Sequence, residues 1–263
     1  MGSKSRLVFV NSSWTRAHIE SLWGLETNLL YPPCNTEQYL EIEDSPRDLR
    51  VVSVGQFRPE KDHALQVRAF ARFVSDTDRR DVQLTLVGGV RNKEDEARVD
   101  GLRSLVKELE VEDLVTFEVG VPYERLFEIL STSLIGLHTM WNEHFGIGVV
   151  EFMAAGIIPI AHDSGGPKMD IVVPGSGYLA TTDQEYAANI KEILSLSESQ
   201  LRDMRRVGRE HVKSKFSDGA FRGQFIEHFE RVTGVEEDEG FEEDWSEVEE
   251  EEEEEEEEEN NSE

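Results

Sequence analysis

Residues 143–170 read EHFGIGVVEFMAAGIIPIAHDSGGPKMD and set a helix, a short strand and two glycine turns in close succession. Two carboxylates, Glu143 and Glu151, stand eight positions apart around a Phe-Gly-Ile-Gly turn. The apolar run Ile157–Ile160 then leads into the glycine pair at 165–166. This order of parts suits a site that holds a phosphate on backbone N–H groups and a sugar hydroxyl on a carboxylate.

The alternation of apolar strands and helices extends over most of the chain. Apolar runs predict strands at Leu7–Val10, Val51–Val54, Val82–Val87, Leu114–Val119, Leu134–Leu137 and Ile157–Ile160. Helical patterns lie between most of them, at His63–Ser75, Glu94–Leu109, Tyr123–Leu130 and Ile147–Ala155. This alternation predicts an α/β fold, a Rossmann-like parallel sheet with helices on both faces. From about Gln184 onward the pattern is helical, and Ser197 and Ser217 are the predicted helix starts.

Composition divides the chain into three parts. In residues 1–45 a strand runs into a helix that Ser12 or Ser13 caps, and a Tyr-Pro-Pro break follows, so we predict the end of a preceding domain plus a linker. Residues 46–235 carry the repetitive sheet pattern. Residues 236–263 hold 20 of the 56 acidic residues and no Lys or Arg, which leaves a net charge of −9 for residues 1–235. We predict that this poly-Glu tail is disordered, because it repels itself and has little to bury.

The same composition excludes several classes of protein. The acidic balance argues against a nucleic-acid partner, whose binding needs positive charge. A single cysteine, Cys34, excludes an internal disulfide framework and a Cys-rich metal site. The first residues have too short an apolar run for a signal peptide, and no run is long enough for a transmembrane helix. Neither a dinucleotide G-x-G-x-x-G after the first strand of the sheet, nor a P-loop, nor an esterase G-x-S-x-G is present.

The candidate site residues follow the strands, at the edge where open parallel sheets bind ligands. Arg58 and Lys61 lie just past a strand and at the start of a helix, where two cations suit a diphosphate. Taken alone, the pair is better explained as two surface cations in a solvated turn. Five of the predicted strands end in a loop of unusual residues at this edge. Their convergence is stronger evidence for a ligand site than any one of the loops.

The turn at Phe145, Gly146 and Ile147 directs backbone N–H groups toward the strand ends. Glu151 has apolar neighbours, so its carboxylate needs a partner. A ribose and a structural salt bridge are equally consistent with its spacing. Glu143 either contacts the group beyond the phosphates or is an exposed surface acid.

Three further features have competing interpretations. His138 and His162 both follow strands, but without a spaced third ligand we interpret them as site-edge or core residues rather than metal ligands. Trp141 either walls the pocket or packs in the core. Six basic residues could touch an anionic membrane, although a solvated helix face is the preferred interpretation. These are Arg202, Arg205, Arg206, Arg209, Lys213 and Lys215.

Several of these motifs together resemble a known family. VSVGQFRPEKDHALQVRAF, LTLVGG, VTFEVGVPYERLFEIL and EHFGIGVVEFMAAGIIPI are similar to the donor-binding domain of retaining glycosyltransferases with the two-Rossmann (GT-B) fold. Glu143 and Glu151 match the E-x₇-E motif of their family-four branch. Within it, VNSSWTRAHIESLW, YPPCN and HDSGGPKMDIV resemble the GDP-mannose-dependent α-1,2-mannosyltransferases of N-glycan precursor assembly. The match covers roughly residues 7–232.

The resemblance implies a role for each matching residue. Arg58 and Lys61 would bind and stabilise the diphosphate of GDP-mannose, helped by N–H groups of Phe145, Gly146 and Ile147. Glu151 would hold the ribose, and Glu143 the mannose near the reacting carbon. No metal or other cofactor is expected.

The resemblance also implies an acceptor substrate and a cellular location. The acceptor would be a dolichol-linked oligosaccharide at the cytosolic face of the endoplasmic reticulum membrane, with any membrane contact indirect. The family's acceptor domain is absent apart from residues 1–45, so we expect it elsewhere on a longer chain or on another subunit. The alternative is a nucleotide-sugar-binding module without transfer activity of its own. A weaker third interpretation is an acidic-tailed interaction protein whose fold descends from a transferase.

Overall fold

Six parallel strands form the central sheet of the computed structural model, which describes residues 7–34 and 36–234. The strands of this sheet are β3 (Asp48–Val54), β4 (Gln83–Gly88), β5 (Val115–Val119), β6 (Ser133–His138), β7 (Ile158–His162) and β8 (Tyr178–Ala180). Two short strands, β1 (Phe9–Val10) and β2 (Asn28–Leu29), precede them in the chain. The helices are α1 (Ser13–Trp23), α2 (Glu37–Leu40), α3 (His63–Thr77), α4 (Lys93–Glu108), α5 (Tyr123–Thr132), α6 (Ile147–Ala154), α7 (Asp183–Ile193), α8 (Glu198–Lys215) and α9 (Asp218–Thr233). The predicted α/β class is therefore confirmed.

The strand order is β5-β4-β3-β6-β7-β8, and each neighbouring pair is parallel. The chain builds outward from β3 in one direction, then returns to β6 on the other side of β3 and builds in the opposite direction. Such a reversal leaves a crevice at the carboxyl ends of the two central strands, where open sheets bind ligands. The loops after β3 and β6 border this crevice.

Two apolar clusters fill the two faces of the sheet, because consecutive strand residues point to opposite sides. Val51 belongs to the cluster that α3, α4 and α7 cover, with Phe70, Phe73 and Tyr186 fully buried. Val52 belongs to the second cluster, which contains side chains of α5, α6 and α8. Burial on both faces explains why the strands are almost continuously apolar.

Helix starts follow the local sequence closely. Ser12 caps α1 by accepting the N–H of Thr15, so Ser12 rather than Ser13 has this role. Ser197 and Gln200 form a reciprocal capping box at α8, and Ser217 Oγ accepts the Ala220 N–H at α9. The predictions for these starts are confirmed.

The N-terminal segment forms its own two-stranded parallel sheet, in which β1 pairs with β2. Neither β2 nor β8 is predicted from the sequence, because runs of two or three residues carry no recognisable periodicity. The segment also packs on the second cluster through Cys34 and Tyr39. The boundary near residue 45 stays a prediction, and the predicted tail at 236–263 lies outside the described residues. Within the described residues, one compact unit extends to Gln224, and residues 225–234 belong to a separate one.

Candidate functional site

The loops after β3 and β6 bring the predicted cations and carboxylates to the same crevice. The first loop, residues 55–62, carries Arg58 and Lys61. The second, residues 139–146, is called here the Glu143 loop and leads directly into α6. Two buried side chains fasten the loops together. Thr139 Oγ1 donates to the Lys61 carbonyl oxygen at 2.7 Å and accepts from Gln66 Nε2 at 2.8 Å. The relative position of Lys61 and Glu143 is thus fixed by the fold.

Lys61 and Glu143 form a partly buried ion pair across the crevice. Lys61 Nζ lies 3.0 Å from Glu143 Oε2, and its second polar neighbour is Met140 Sδ at 3.3 Å. His138 Nε2 lies 3.6 Å from the same carboxylate oxygen. His138 and the Lys61 ammonium together lower the pKa of Glu143 to about 2. The carboxylate is therefore ionised at neutral pH and is not an exposed surface acid.

Arg58 lies at the mouth of the crevice, where it begins a short 3-10 helix, Pro59–Lys61. Its nearest carboxylate, Glu60, is 3.8 Å away, and its Nε is buried without a hydrogen-bond acceptor in the described chain. A third of the side chain is exposed (35%). The guanidinium therefore retains donors for an anionic ligand such as a diphosphate.

The start of α6 offers a row of unused backbone donors. Gly146 has φ 113°, a left-handed conformation that side chains disfavour, and this turn points the next N–H groups into the crevice. In the described chain, no hydrogen bond uses the N–H of Phe145, Gly146, Ile147 or Gly148. The Phe145 side chain is buried against Tyr31 and Phe216, so its contribution can come only from the backbone. Free N–H groups at a helix start attract anions.

Glu151 has no partner among the described residues. It lies one turn into α6 and is half-buried. Among the described residues, no side chain or backbone group forms a hydrogen bond or an ion pair with its carboxylate. Burial raises its pKa, and no cation offsets that effect. The structural salt bridge considered above is therefore absent. Its electrostatic neighbours are Cys34, whose pKa rises to about 12 through burial and the Glu151 charge, and Tyr39.

The glycine pair at 165–166 packs against the backbone of the Glu143 loop. A Cβ at Gly165 would clash with the Glu143 backbone, and one at Gly166 would clash with the Phe145 backbone. The Gly166 N–H donates to the Glu143 carbonyl oxygen at 2.8 Å. The close approach of these backbones requires glycine at both positions.

The structure also shows the burial and the partners of the two candidate histidines, of Trp141 and of the basic helix residues. His138 and His162 are both buried (7% exposed each), and His162 Nδ1 lies 2.8 Å from Ser164 Oγ. Trp141 is 70% exposed, which excludes the core-packing interpretation. Arg205 is buried with Asp44 and Glu198, and Arg209 donates to backbone carbonyls, so neither belongs to a solvated face. The described residues contain no cluster of three side chains suited to a metal ion.

Sequence reasoning missed several residues that shape the site. Thr139 and Gln66 fasten the loops, and Asp170 binds Ser13 and Tyr31 from the N-terminal segment. Their partners lie 73 or more residues away in sequence. No local spacing could have indicated these pairs.

The fold is that of glycosyltransferases. A glycosyltransferase from Rickettsia africae superimposes with a TM-score of 0.76 at 15% identity, covering 88% of this chain and 64% of that one. HepE from Anabaena, solved in complex with UDP, gives a TM-score of 0.73 at 21% identity over 86% and 64% of the two chains. At these identities the likeness concerns the fold alone.

The family follows from sequence. Residues 36–211 match the family described as "Glycosyl transferases group 1", and this chain belongs to that family. A protein from Homo sapiens named GDP-Man:Man(3)GlcNAc(2)-PP-Dol alpha-1,2-mannosyltransferase is 48% identical over 245 residues, which is 88% of this chain and 50% of that protein. One of the same name from Dictyostelium discoideum is 42% identical over 87% of this chain and 48% of its own length.

The chain thus spans about half the length of the curated relatives it matches. Within residues 7–34 and 36–234, none of the helices has the length and apolar character needed to cross a membrane.

Proposed function

We propose that this chain is the donor-binding part of a retaining mannosyltransferase that takes mannose from GDP-mannose and adds it, in α-1,2 linkage, to a dolichol-linked oligosaccharide. The observation that carries the proposal is the half-buried, unpartnered Glu151 carboxylate one turn from unused N–H groups. A buried charge without a partner is costly to a fold and is retained where a ligand supplies the partner. The names of the relatives supply the identity of the substrates.

The donor would lie across the crevice from Arg58 to Glu151. Its diphosphate would accept hydrogen bonds from the N–H groups at the start of α6 and from the Arg58 guanidinium. The two ribose hydroxyls would donate to the two oxygens of Glu151. Glu143, held ionised by His138 and Lys61, would accept from the mannose hydroxyls near the reacting carbon.

Transfer breaks the bond between the anomeric carbon and the phosphate oxygen, and the electron pair stays on the leaving GDP. Donors fixed in advance around that phosphate lower the barrier, because charge develops there in the transition state. Lys61, Arg58 and the α6 N–H groups supply this stabilisation in our proposal, so no metal ion is required. The acceptor hydroxyl then forms the new glycosidic bond with retention of configuration, and its proton passes to the leaving phosphate oxygen. We assign no covalent nucleophile.

The acceptor side would come from the part of the protein that the relatives carry and this chain does not span. PP-Dol in the relatives' names points to a dolichol diphosphate acceptor. We propose that the protein works at the cytosolic face of the endoplasmic reticulum membrane, with an acceptor domain or further subunits providing the membrane contact.

Calorimetric titration of the chain with GDP-mannose, GDP and UDP tests donor binding. We expect heat and a thermal shift with GDP and GDP-mannose, weaker binding of UDP, and the same affinity in the presence of EDTA. No heat and no thermal shift with any nucleotide would contradict the proposal. Loss of GDP binding in EDTA would contradict its metal-free part alone. A transfer assay on the chain, with and without an added acceptor-side part, then separates a transferase from a binding module.

A further inference from the structure

The Asp170 carboxylate joins two distant parts of the chain. Its Oδ2 accepts the backbone N–H of Ser13 at 2.9 Å, and its Oδ1 accepts Ser13 Oγ at 2.5 Å and the Tyr31 hydroxyl at 2.9 Å. Burial and the Asp170 charge raise the pKa of Tyr31 to about 12, so the hydroxyl remains protonated as a donor. All three hydrogen bonds come from the N-terminal segment, whereas Asp170 lies in the turn after the glycine pair.

The same N-terminal segment also touches the Glu143 loop itself. The Trp14 indole stacks on the imidazole of His144, with ring centroids 5.0 Å apart and an interplanar angle of 19°. The Tyr31 ring packs on Phe145 at 6.0 Å. His144 and Phe145 directly follow Glu143 and precede the unused N–H groups of α6.

The turn that carries Asp170 contacts the loop from another side. Gly165 and Gly166 pack on the backbone of Glu143 and Phe145, and Pro167 packs against Gly146. The Glu143 loop is therefore in contact with the N-terminal segment and with the Asp170 turn, and the Asp170 carboxylate ties these two supports together. A displacement of residues 13–31 would be transmitted to both.

We propose that Asp170, Tyr31 and Trp14 are positioning residues for the Glu143 loop. In this proposal the three residues fix the carboxylate of Glu143 and the N–H groups of α6 in the geometry that the donor needs, so that the position of the N-terminal segment sets donor affinity. The consequence for affinity rests on the function proposed above, whereas the mechanical link does not. Trp14 and Tyr31 touch the loop, and Asp170 holds the segment that carries them.

A matched control lies in the same segment. Glu20 also accepts three hydrogen bonds, from the Thr27 N–H and hydroxyl and from Arg16. These bonds hold the segment together internally and do not reach the Glu143 loop. Glu20→Gln therefore removes one negative charge, as Asp170→Asn does, while its Oε1 stays an acceptor and the proposed link is not cut.

Two measurements on Asp170→Asn, Tyr31→Phe, Trp14→Ala and Glu20→Gln test the proposal. The first is hydrogen exchange of the Val149 and Val150 amides, which both bond to the Gly146 carbonyl oxygen and so report on the loop without any ligand. The second is the GDP affinity by calorimetry. We expect faster exchange and about two- to thirtyfold weaker GDP binding for the first three variants, and wild-type values for Glu20→Gln.

The outcomes separate the two proposals. If wild type does not bind GDP, the proposed function fails, while the exchange rates still decide the positioning role. If Asp170→Asn or Tyr31→Phe matches Glu20→Gln in exchange and in affinity, the positioning role is overturned. Tyr31→Phe keeps its ring on Phe145 and Phe216, so it remains a usable variant should Asp170→Asn fail to fold.

Discussion

The two edges of the central sheet use the same charged residue types in opposite ways. At the amino-terminal edge, Arg47 donates to the carbonyl oxygens of Ser131 and Ala155, and Arg209 donates to those of Ala154 and Ile42. The carbonyls of Ser131, Ala154 and Ala155 lie at the ends of α5 and α6, whose last turns favour cations, and that of Ile42 follows α2. Burial, followed by the charges of Arg205 and Arg209, lowers the pKa of Arg47 to about 10.

At the carboxyl-terminal edge, polar groups are held in place with bonding capacity left over. Arg58 Nε and the Glu151 carboxylate have no partner within the described residues, and neither do the first N–H groups of α6. Because Arg47 Nε and Arg205 Nη1 at the amino-terminal, structural edge also lack an acceptor within the described residues, the two edges differ chiefly in the Glu151 carboxylate and the free α6 N–H groups. Arginines that donate to the free carbonyl oxygens at helix ends contribute to stability. The Glu151 carboxylate and the free N–H groups of α6 instead remain available to a ligand.

The largest effect should come from the structural edge. Arg205→Ala leaves Asp44 and Glu198 without their buried cation, and we expect a loss of about 3 kcal/mol in the free energy of unfolding. GDP affinity should stay at the wild-type value, because the crevice lies at the other edge. Urea unfolding and calorimetry measure the two quantities. Arg206→Ala, which removes an exposed arginine from the same helix, is the control and should cost under about 0.5 kcal/mol. A large loss of affinity in Arg205→Ala would remove the distinction between the edges.

Glu151→Gln should show the reverse pattern. Losing a charged acceptor of two ribose hydroxyls costs about 1.5–3 kcal/mol of binding, which is roughly a ten- to hundredfold weaker GDP affinity. Stability at neutral pH should not fall, since the carboxylate has no partner among residues 7–34 and 36–234. Calorimetry and urea unfolding on one preparation measure both. An unchanged affinity would return Glu151 to a structural role.

The two carboxylates should respond to pH in opposite directions. Glu143 has a pKa lowered to about 2, so it stabilises the fold above its ordinary value of 4.5 and loses this contribution as the pH falls toward 2. Glu151 has a raised pKa, so it costs stability once the pH exceeds 4.5.

At pH 7, Glu143→Gln should therefore be less stable than wild type and Glu151→Gln more stable, each by about 1 kcal/mol or less after solvent screening. Both differences should shrink at pH 3. Urea unfolding at pH 3, 5 and 7 measures them. Parallel pH profiles for the two variants would show that their environments do not differ as described.

The smallest effect should follow Trp141→Ala. This side chain is 70% exposed, so we expect a change in the free energy of unfolding within about 0.5 kcal/mol. Thermal unfolding followed by circular dichroism measures it. A loss above 2 kcal/mol would indicate that the indole packs in the core after all.

Most of the fold could be predicted from sequence, because its signals are local. Burial on both faces makes a strand continuously apolar, as in Ile157–Ile160, and a serine three residues before a glutamine marks the start of α8. The two-residue strand β2 escaped prediction, since it exists only through its pairing with β1.

The candidate site likewise has features that local sequence predicts and features that depend on distant residues. Spacing alone indicated Glu143, Glu151, Arg58 and Lys61 as candidates, because strand ends and helix starts are read from nearby residues. The membrane or solvent role considered for Arg205 and Arg209 was wrong, since their partners at residues 42–44 and 154–155 are distant in sequence. Periodicity shows which face of a helix a residue occupies and not what that face meets.

By itself, then, the sequence determined the order of strands and helices, the acidic charge of residues 236–263 and the spacing of the two carboxylates. Only the tertiary structure decided that Glu143 has His138 and Lys61 as partners while Glu151 has none in the part of the chain that the structure describes. It also decided that Asp170 ties the N-terminal segment to the turn beside the Glu143 loop. The physical reason is range. Propensity and periodicity act over a few residues, whereas desolvation and pairing depend on groups that meet only once the sheet has brought them together.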